Sequence, residues 1–128
     1  MKSSIACFIF LLLLSGCASL DQDREPYWKN EILHSTGFGA GSGIENPGQQ
    51  RLMAQRAAKI NAVNSMLLQI RNLPVDDNSK AGDYLPASWQ PKGFMEESVV
   101  HQNDGVCVMT LTMPLEEVWQ IVNQNKKQ

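Results

Sequence analysis

A long helical segment preceded by alternating glycines constrains the fold of this chain more than any other feature. Asn46 is a good helix N-cap, Pro47 suits the first helical turn, and Pro74 ends the pattern. The pattern therefore predicts one amphipathic helix over about residues 48–71. Its large apolar side chains recur at steps of three or four residues or multiples of them: Met53, Ile60, Val63, Leu67 and Ile70. We expect this face to be the buried one.

The segment before the helix, residues 32–40, predicts a strand with one nearly bare face. From position 37 onward every second residue is a glycine: Gly37, Gly39, Gly41 and Gly43. Because alternate strand residues point to the same face, these glycines let another element approach closely. The helix is rich in alanine over residues 54–62, which has the same effect on its side. A phosphate-binding loop is the alternative, but no Gly-Lys-Ser/Thr follows.

The C-terminal third predicts a β-hairpin followed by a short helix. Strands are expected over residues 94–101 and 106–113, joined by a turn in which Gly105 can adopt positive φ. In the second strand one face is the better core face: Cys107, Met109, Leu111 and Met113. Pro114 opens the last helix, whose apolar stripe is Leu115, Val118, Trp119 and Val122. The fold class is α+β: a small antiparallel sheet of about three strands, packed against one long helix and a short C-terminal helix.

Residues 76–92, between the long helix and the hairpin, have the composition of a loop. They contain Gly82, Pro86 and Pro91. Their two aromatic side chains are Tyr84 and Trp89, of which Trp89 is the larger. A loop of this length is unusual in a compact domain, so the segment is either mobile or faces a partner. Trp89 is expected to fold over the edge of the core, and docking to a partner is the alternative.

The N-terminus carries a processing signal. Lys2 is followed by an apolar run over residues 5–14, about half the roughly 20 residues that a bilayer-spanning helix needs. The run closes with Leu14-Ser15-Gly16-Cys17, which resembles the lipobox of bacterial lipoproteins. The resemblance implies that the thiol of Cys17 receives a diacylglyceryl group and that cleavage occurs before this residue. An ordinary secretory signal with a chance cysteine is the alternative. Under the enterobacterial-type sorting rule, Ala18 in place of Asp favours the outer membrane over the inner membrane.

Three segments follow from this processing. Residues 1–16 are a lipoprotein signal peptide, residues 17–30 a lipidated tether, and residues 31–128 a single domain. Tyr27 and Trp28 end the tether, where they either rest at the membrane interface or, as we prefer, pack first on the domain. The whole chain has formal net charge −2, and no stretch forms a basic patch, so nucleic acid is not an expected partner.

Cysteine and histidine usage predicts no catalytic, cofactor or metal site. After processing, Cys107 is the one remaining thiol, so an intramolecular disulfide cannot form. His101 and Cys107 lie on paired strands and could be drawn as a base and a nucleophile. Cys107 belongs to the apolar face, however, whereas a catalytic cysteine needs a partly exposed, electropositive setting. The chain has no His-x-x-x-His or Cys-x-x-Cys pair, and His34 is far away in sequence.

Two segments suggest a family. Residues 51–62 read RLMAQRAAKINA, and residues 93–119 run from Gly93-Phe94 through Asp104-Gly105 to LEEVW. Together with the glycine-rich strand, they resemble the Lpp-twenty lipoprotein family, which includes a flagellar lipoprotein. The resemblance covers about residues 32–122 and implies an α+β domain in which a long helix packs on a small antiparallel sheet. It supplies no catalytic residues.

The expected function is therefore non-enzymatic. A lipid-anchored envelope lipoprotein with a structural or assembly role fits the signal and the resemblance, and the resemblance implies the flagellar basal region and motility. Its partners would be membrane lipid, through acylated Cys17, and either another protein or a second copy; it would be anchored in the outer membrane facing the periplasm. The alternative is a lipoprotein that binds a small ligand or cell-wall fragment between helix and sheet. That pocket would be lined by Met53, Met66, Met109 and Trp119.

Overall fold

The computed structural model describes residues 24–41, 43 and 45–128. The predicted signal peptide and Cys17 lie outside the described residues. The elements follow in chain order: strand β1 (Ile32–Ala40), helix α1 (Pro47–Arg71), strands β2 (Pro74–Asp76) and β3 (Ser79–Lys80), a 3₁₀ turn (Ala81–Asp83), strands β4 (Met95–His101) and β5 (Val106–Pro114), and helix α2 (Glu116–Lys126).

The main sheet has three antiparallel strands in the order β1-β5-β4, so the last strand in sequence is the central one. This confirms the predicted α+β fold with one long and one short helix. The β4–β5 turn has Gly105 at φ +83°, as its sequence indicates. Gln102 closes the turn, since its amide donates to the carbonyl of Val106 at 2.8 Å.

Helix α1 lies unusually close to β1 because both contact surfaces are nearly free of side chains. A β-carbon built on any of three glycines, two in the strand and one just after it, would overlap a carbonyl oxygen of the helix: Gly37 on Ala58, Gly39 on Ala54 and Gly41 on Gln50. Ser35 continues the series, because its hydroxyl donates to the carbonyl oxygen of Ala62 at 2.7 Å. Two strand residues span about 6.7 Å and four helix residues about 6 Å, so the two elements stay in step.

This close approach corrects part of the predicted buried face of α1: Ile70 is buried as expected and Val63 packs half-buried against the core, but other members of that face are exposed. The residues that face the sheet repeat every four positions: Ala54, Ala58, Ala62, Met66 and Ile70. Of the large apolar residues expected there, Met53 is 46 % and Ile60 63 % exposed. The reason is steric: with glycines on the strand, the helix backbone comes too near for any side chain larger than alanine along most of the interface.

Gly43 is a smaller correction to the predicted glycine face. The strand ends at Ala40, and Gly43 lies beyond it with φ +86°; none of the other described residues comes within 4 Å of a β-carbon placed there. Its role is conformational, because side-chain-bearing residues rarely adopt this left-handed backbone.

Residues 76–92 are packed rather than a plain loop. They contribute Ala81, Leu85 and Pro91 to the buried part of the domain, and Trp89 is half-buried against the core. Arg71 holds the segment, since its guanidinium donates to the carbonyl of Pro86 at 2.9 Å. The prediction that Trp89 folds over the core edge is confirmed, whereas the short β2–β3 hairpin was not predicted.

The two ends of the described chain meet in the core. Trp28 is fully buried, and its indole nitrogen donates to the carbonyl of Pro74 at 2.7 Å. Its ring lies edge-on to that of Trp119 in α2, with centroids 6.0 Å apart. The predicted stripe of α2 is buried, as are Leu115 before it and the predicted core face of β5. Packing therefore begins at Trp28, as preferred from the sequence, whereas Tyr27, expected to pack with it, is largely exposed.

Candidate functional surfaces

Among the residues that the structure describes, none covers the outer face of the sheet, opposite α1. Alternate residues of β1 point to it and are exposed, whereas the residues between them are buried under the helix. The outer-face cross-strand rows, in order along β1, are Ile32–Pro114, His34–Thr112–Met95, Thr36–Thr110–Ser98, Phe38–Val108–Val100 and Ala40–Val106. The middle of this face is polar and both of its ends are apolar.

The row formed by Phe38, Val108 and Val100 crosses all three strands. Phe38 is 60 % and Val100 52 % exposed, and Val108 between them is half-buried. An exposed apolar row that crosses all three strands of a sheet is a candidate contact surface for another molecule. We call Phe38, Val108 and Val100 the sheet-face row. The sequence did not predict this row, because side-chain periodicity indicates which face of a strand is buried and not which exposed residues of different strands lie side by side.

The two sheet edges are protected in different ways. At the β1 edge, the amide of Phe38 donates to the side-chain oxygen of Asn61 on α1 at 3.0 Å. At the β4 edge, the pairing register shifts between Glu96 and Ser98, and Glu96 lies 3.6 Å from the ammonium of Lys59. Side-chain caps, bulges and edge charges all discourage strand addition. These features make the exposed outer face a stronger candidate for docking than strand addition at either edge.

Helix α1 carries a second uncovered apolar stripe on its solvent side. Three residues eight positions apart form it, namely Leu52, Ile60 and Leu68, which are 47 %, 63 % and 62 % exposed. Arg56 and Asn64 fill the intervening positions and are also exposed. The stripe results from the glycine–alanine interface, because the helix presents its smallest side chains to the sheet and its larger ones elsewhere.

A polar cleft lies at the end of the domain where β4 turns into β5. It has a volume of about 490 Å³ and is formed by the first turn of α1 and by the hairpin turn. Its lining residues are Pro47, Gln50 and Arg51 on the helix side and residues 101–105 on the turn side. Asn46 already accepts hydrogen bonds from the amides of Gly48 and Gln49, so part of this helix terminus is satisfied internally.

His101 and Cys107 are direct cross-strand partners, as the hairpin pattern predicts. Cys107 is fully buried in the core, and this burial raises the pKa of its thiol. A thiol that stays protonated is a poor nucleophile, because the thiolate is the reactive form. The pair does not have the electropositive, accessible setting that cysteine catalysis needs.

The proposed methionine-lined pocket does not form between α1 and the sheet. Met66, Met109 and Trp119 all belong to the buried core cluster, whereas Met53 lies outside it and is largely exposed. These side chains therefore stabilise the fold, and a ligand would have to use another surface, such as the polar cleft.

The remaining candidate groups are scattered. His34 lies on the outer face, where its Nδ1 is 3.2 Å from a carboxylate oxygen of Glu97 and both side chains are about half exposed. Within the part of the chain that the structure describes, no cluster of three or more His, Cys, Asp or Glu side chains could hold a metal ion. Across the same residues, no helix is both long and apolar enough to cross a membrane.

Comparison with known proteins adds no relative. The chain matches no family model, no curated protein and no solved structure. The resemblance to the Lpp-twenty family thus depends on the sequence motifs alone and stays a prediction.

Proposed function

We propose that this chain is a lipid-anchored protein of the bacterial cell envelope with a structural or assembly role. The lipobox-like segment ending in Cys17 supports the anchor. The exposed sheet-face row supports the role, and it is the observation that carries the proposal, because it offers an apolar surface to another protein. The family resemblance directs the role towards the flagellar basal region, on the periplasmic side of the outer membrane.

Lipidation is tested by growing cells with an alkyne-bearing palmitate and detecting the label on the purified protein. We expect the wild type to be labelled and to fractionate with the outer membrane, and Cys17→Ser to be unlabelled. Cys107→Ser is the matched control, since it removes the buried thiol and should keep the label. A labelled Cys17→Ser protein would exclude lipidation at Cys17.

The flagellar role is tested by swimming in soft agar. A deletion strain should lose motility and regain it with the wild-type gene but not with Cys17→Ala. Unchanged swimming of the deletion strain would reject the flagellar assignment and leave the lipid anchor to be judged by the labelling experiment.

The sheet-face row is tested in the same assay with surface variants. Phe38→Ser combined with Val100→Thr should abolish complementation while leaving the protein folded, because both side chains are exposed. Ile60→Thr is the control, since it removes an equally exposed apolar side chain from the helix stripe. Equal complementation by both proteins would show that the row has no part in assembly.

Binding of a small ligand or cell-wall fragment is the second candidate function, favoured by the polar cleft of about 490 Å³. Its lining carries amide, imidazole, guanidinium and carboxylate side chains, which suit a polar ligand. Titration with soluble peptidoglycan fragments should shift the amide NMR signals of Arg51, His101 and Asn103. Signals that do not move at millimolar fragment would remove this candidate.

A further inference from the structure

One end of the domain concentrates exposed apolar side chains close to the predicted anchor. Tyr27 is 74 %, Ile32 58 % and Met95 68 % exposed. Ile32 begins β1 and Met95 begins β4, and both point to the outer face at the same end of the sheet. From strand spacing and rise, these two residues are roughly 12 Å apart. We call Tyr27, Ile32 and Met95 the anchor-end patch.

Tyr27 is held in place although its side chain is exposed. It opens a turn in which the amide of Glu31 donates to the carbonyl of Trp28 at 3.0 Å. Trp28 itself is buried and bonded to Pro74. The backbone carbonyl of Glu31, which follows the turn, accepts a hydrogen bond from the amide of Leu115 at 3.0 Å. This bond fixes the turn to the end of β5. The exposed ring of Tyr27 is therefore presented by a rigid part of the domain rather than by a free tail.

The chain between the anchor and this patch is short. Tyr27 lies ten positions after Cys17. Ten residue steps span at most about 35 Å, whatever conformation the chain adopts. Helix α1, with 25 residues, is about 37 Å long. A lipid on Cys17 thus keeps the patch near the bilayer, while the polar cleft lies at the opposite end of the sheet.

We infer that the anchor-end patch inserts its side chains into the headgroup region of a zwitterionic lipid surface and sets the domain upright on it. The inference depends on the proposed lipidation of Cys17. Tyrosine suits this location because its ring is apolar and its hydroxyl stays hydrated.

The charges around the patch favour a zwitterionic over an anionic surface. Glu25 pairs with Lys29 at 2.9 Å. Exposed Glu31 precedes Ile32, and exposed Lys92 lies three residues before Met95. Because both signs alternate, electrostatic attraction to anionic lipid is weak, and the contact is expected to be insensitive to salt.

Spin labelling of the lipidated protein in vesicles of phosphatidylethanolamine and phosphatidylcholine tests the inference. Tyr27→Cys, Ile32→Cys and Met95→Cys each place one nitroxide in the patch and leave the other two side chains intact. The control is Asn103→Cys, an exposed site in the β4–β5 turn. Native Cys107 is buried and does not interfere.

We expect dissolved oxygen to relax the three patch labels more than a water-soluble nickel chelate does, and the Asn103 label to show the reverse preference. High salt should not change this result. The inference would be overturned if the chelate relaxed all four labels more than oxygen does. It would also be overturned if high salt made the patch labels accessible to the chelate. Spin–spin broadening between patch labels would also overturn it, because a second copy would then occupy the patch.

Mass spectrometry of the same samples separates this inference from the proposed function. Acylated Cys17 with water-exposed patch labels would refute the patch contact alone. An unmodified Cys17 would refute the lipid anchor, and with it the reason for bringing the patch to a bilayer.

Discussion

Gly39 of β1 lies directly against the carbonyl of Ala54 in α1, so that no β-carbon could stand between them. Gly37 and Gly41 make the same kind of contact, with the carbonyls of Ala58 and Gln50. The interface is formed by backbone on both sides, which explains why a helix rich in large apolar residues directs several of them away from the sheet.

Gly39→Ala should therefore destabilise the domain strongly. Atoms added to a packed interface lower the free energy of unfolding by about 1–3 kcal/mol. The loss is larger when the backbone must move, as it must here. The free energy of unfolding from urea titration measures the effect. Thr36→Ala, on the exposed face of the same strand, is the control and should cost under about 1 kcal/mol. Equal costs would show that the close approach is wrong.

Helix α1 allows a direct test of which face is buried. Ala58→Leu inserts a large side chain into the interface and should cost about 1–3 kcal/mol or prevent folding. Ile60→Gln, two positions away on the solvent side, should change the free energy of unfolding by less than about 0.5 kcal/mol. Thermal unfolding of both variants distinguishes the faces. The opposite ranking would restore the face first expected from residue size.

Trp28 should contribute more to stability than its adjacent aromatic neighbour. Trp28→Ala removes a buried ring, its edge-on contact with Trp119 and a hydrogen bond to Pro74, at a cost of about 3–5 kcal/mol. Tyr27→Ala should cost less than about 0.5 kcal/mol, since Tyr27 is largely exposed. Guanidinium unfolding followed by circular dichroism gives both values. A mild Trp28→Ala variant would mean that residues 24–31 are not docked on the domain.

We expect the domain to lose a small part of its stability in acid, because the carboxylate of Asp76 then becomes protonated. The amide of Asn78, 2.8 Å from its carboxylate, is the main cause that lowers its pKa, with help from the Ser79 hydroxyl and Lys126. A lowered folded pKa means that the charged form stabilises the fold at neutral pH, and that this contribution disappears as pH falls below the ordinary value of 3.8.

The free energy of unfolding of Asp76→Asn should accordingly lie below that of the wild type at neutral pH. The difference should shrink as the solution is acidified below pH 3.8. Asp77→Asn, at the exposed adjacent position, is the control for removing a negative charge. A gap between wild type and Asp76→Asn that stays constant with pH would show that the carboxylate charge is not involved.

Cys107 should react with thiol reagents only after unfolding. Its burial raises the pKa of the thiol and also blocks access to it. In a protein carrying Cys17→Ser and lacking the signal, labelling by a chromogenic disulfide reagent should be slow in buffer and rapid in denaturant. Asn103→Cys in a Cys107→Ser background is the accessible control. Rapid labelling of native Cys107 would reopen the case for a reactive cysteine.

Local chemistry made much of the fold predictable. The extent of β1, the cap at Asn46, the turn at Gly105 and the apolar stripe of α2 all follow from short-range rules of backbone conformation and side-chain periodicity. The packing of residues 76–92 was not predictable in the same way, because their anchors, including Arg71 and Asn125, come from distant elements.

The candidate surfaces depend on topology more than on pattern. Phe38 and Val100 are 62 positions apart in sequence, and they share one row only because β5 inserts between their strands. Sequence alone determined that the chain forms a long helix, a glycine-faced strand and a hairpin, since those are set by neighbouring residues. Only the tertiary structure decided which helix face is buried and which sheet face is bare, because both depend on how closely two backbones approach.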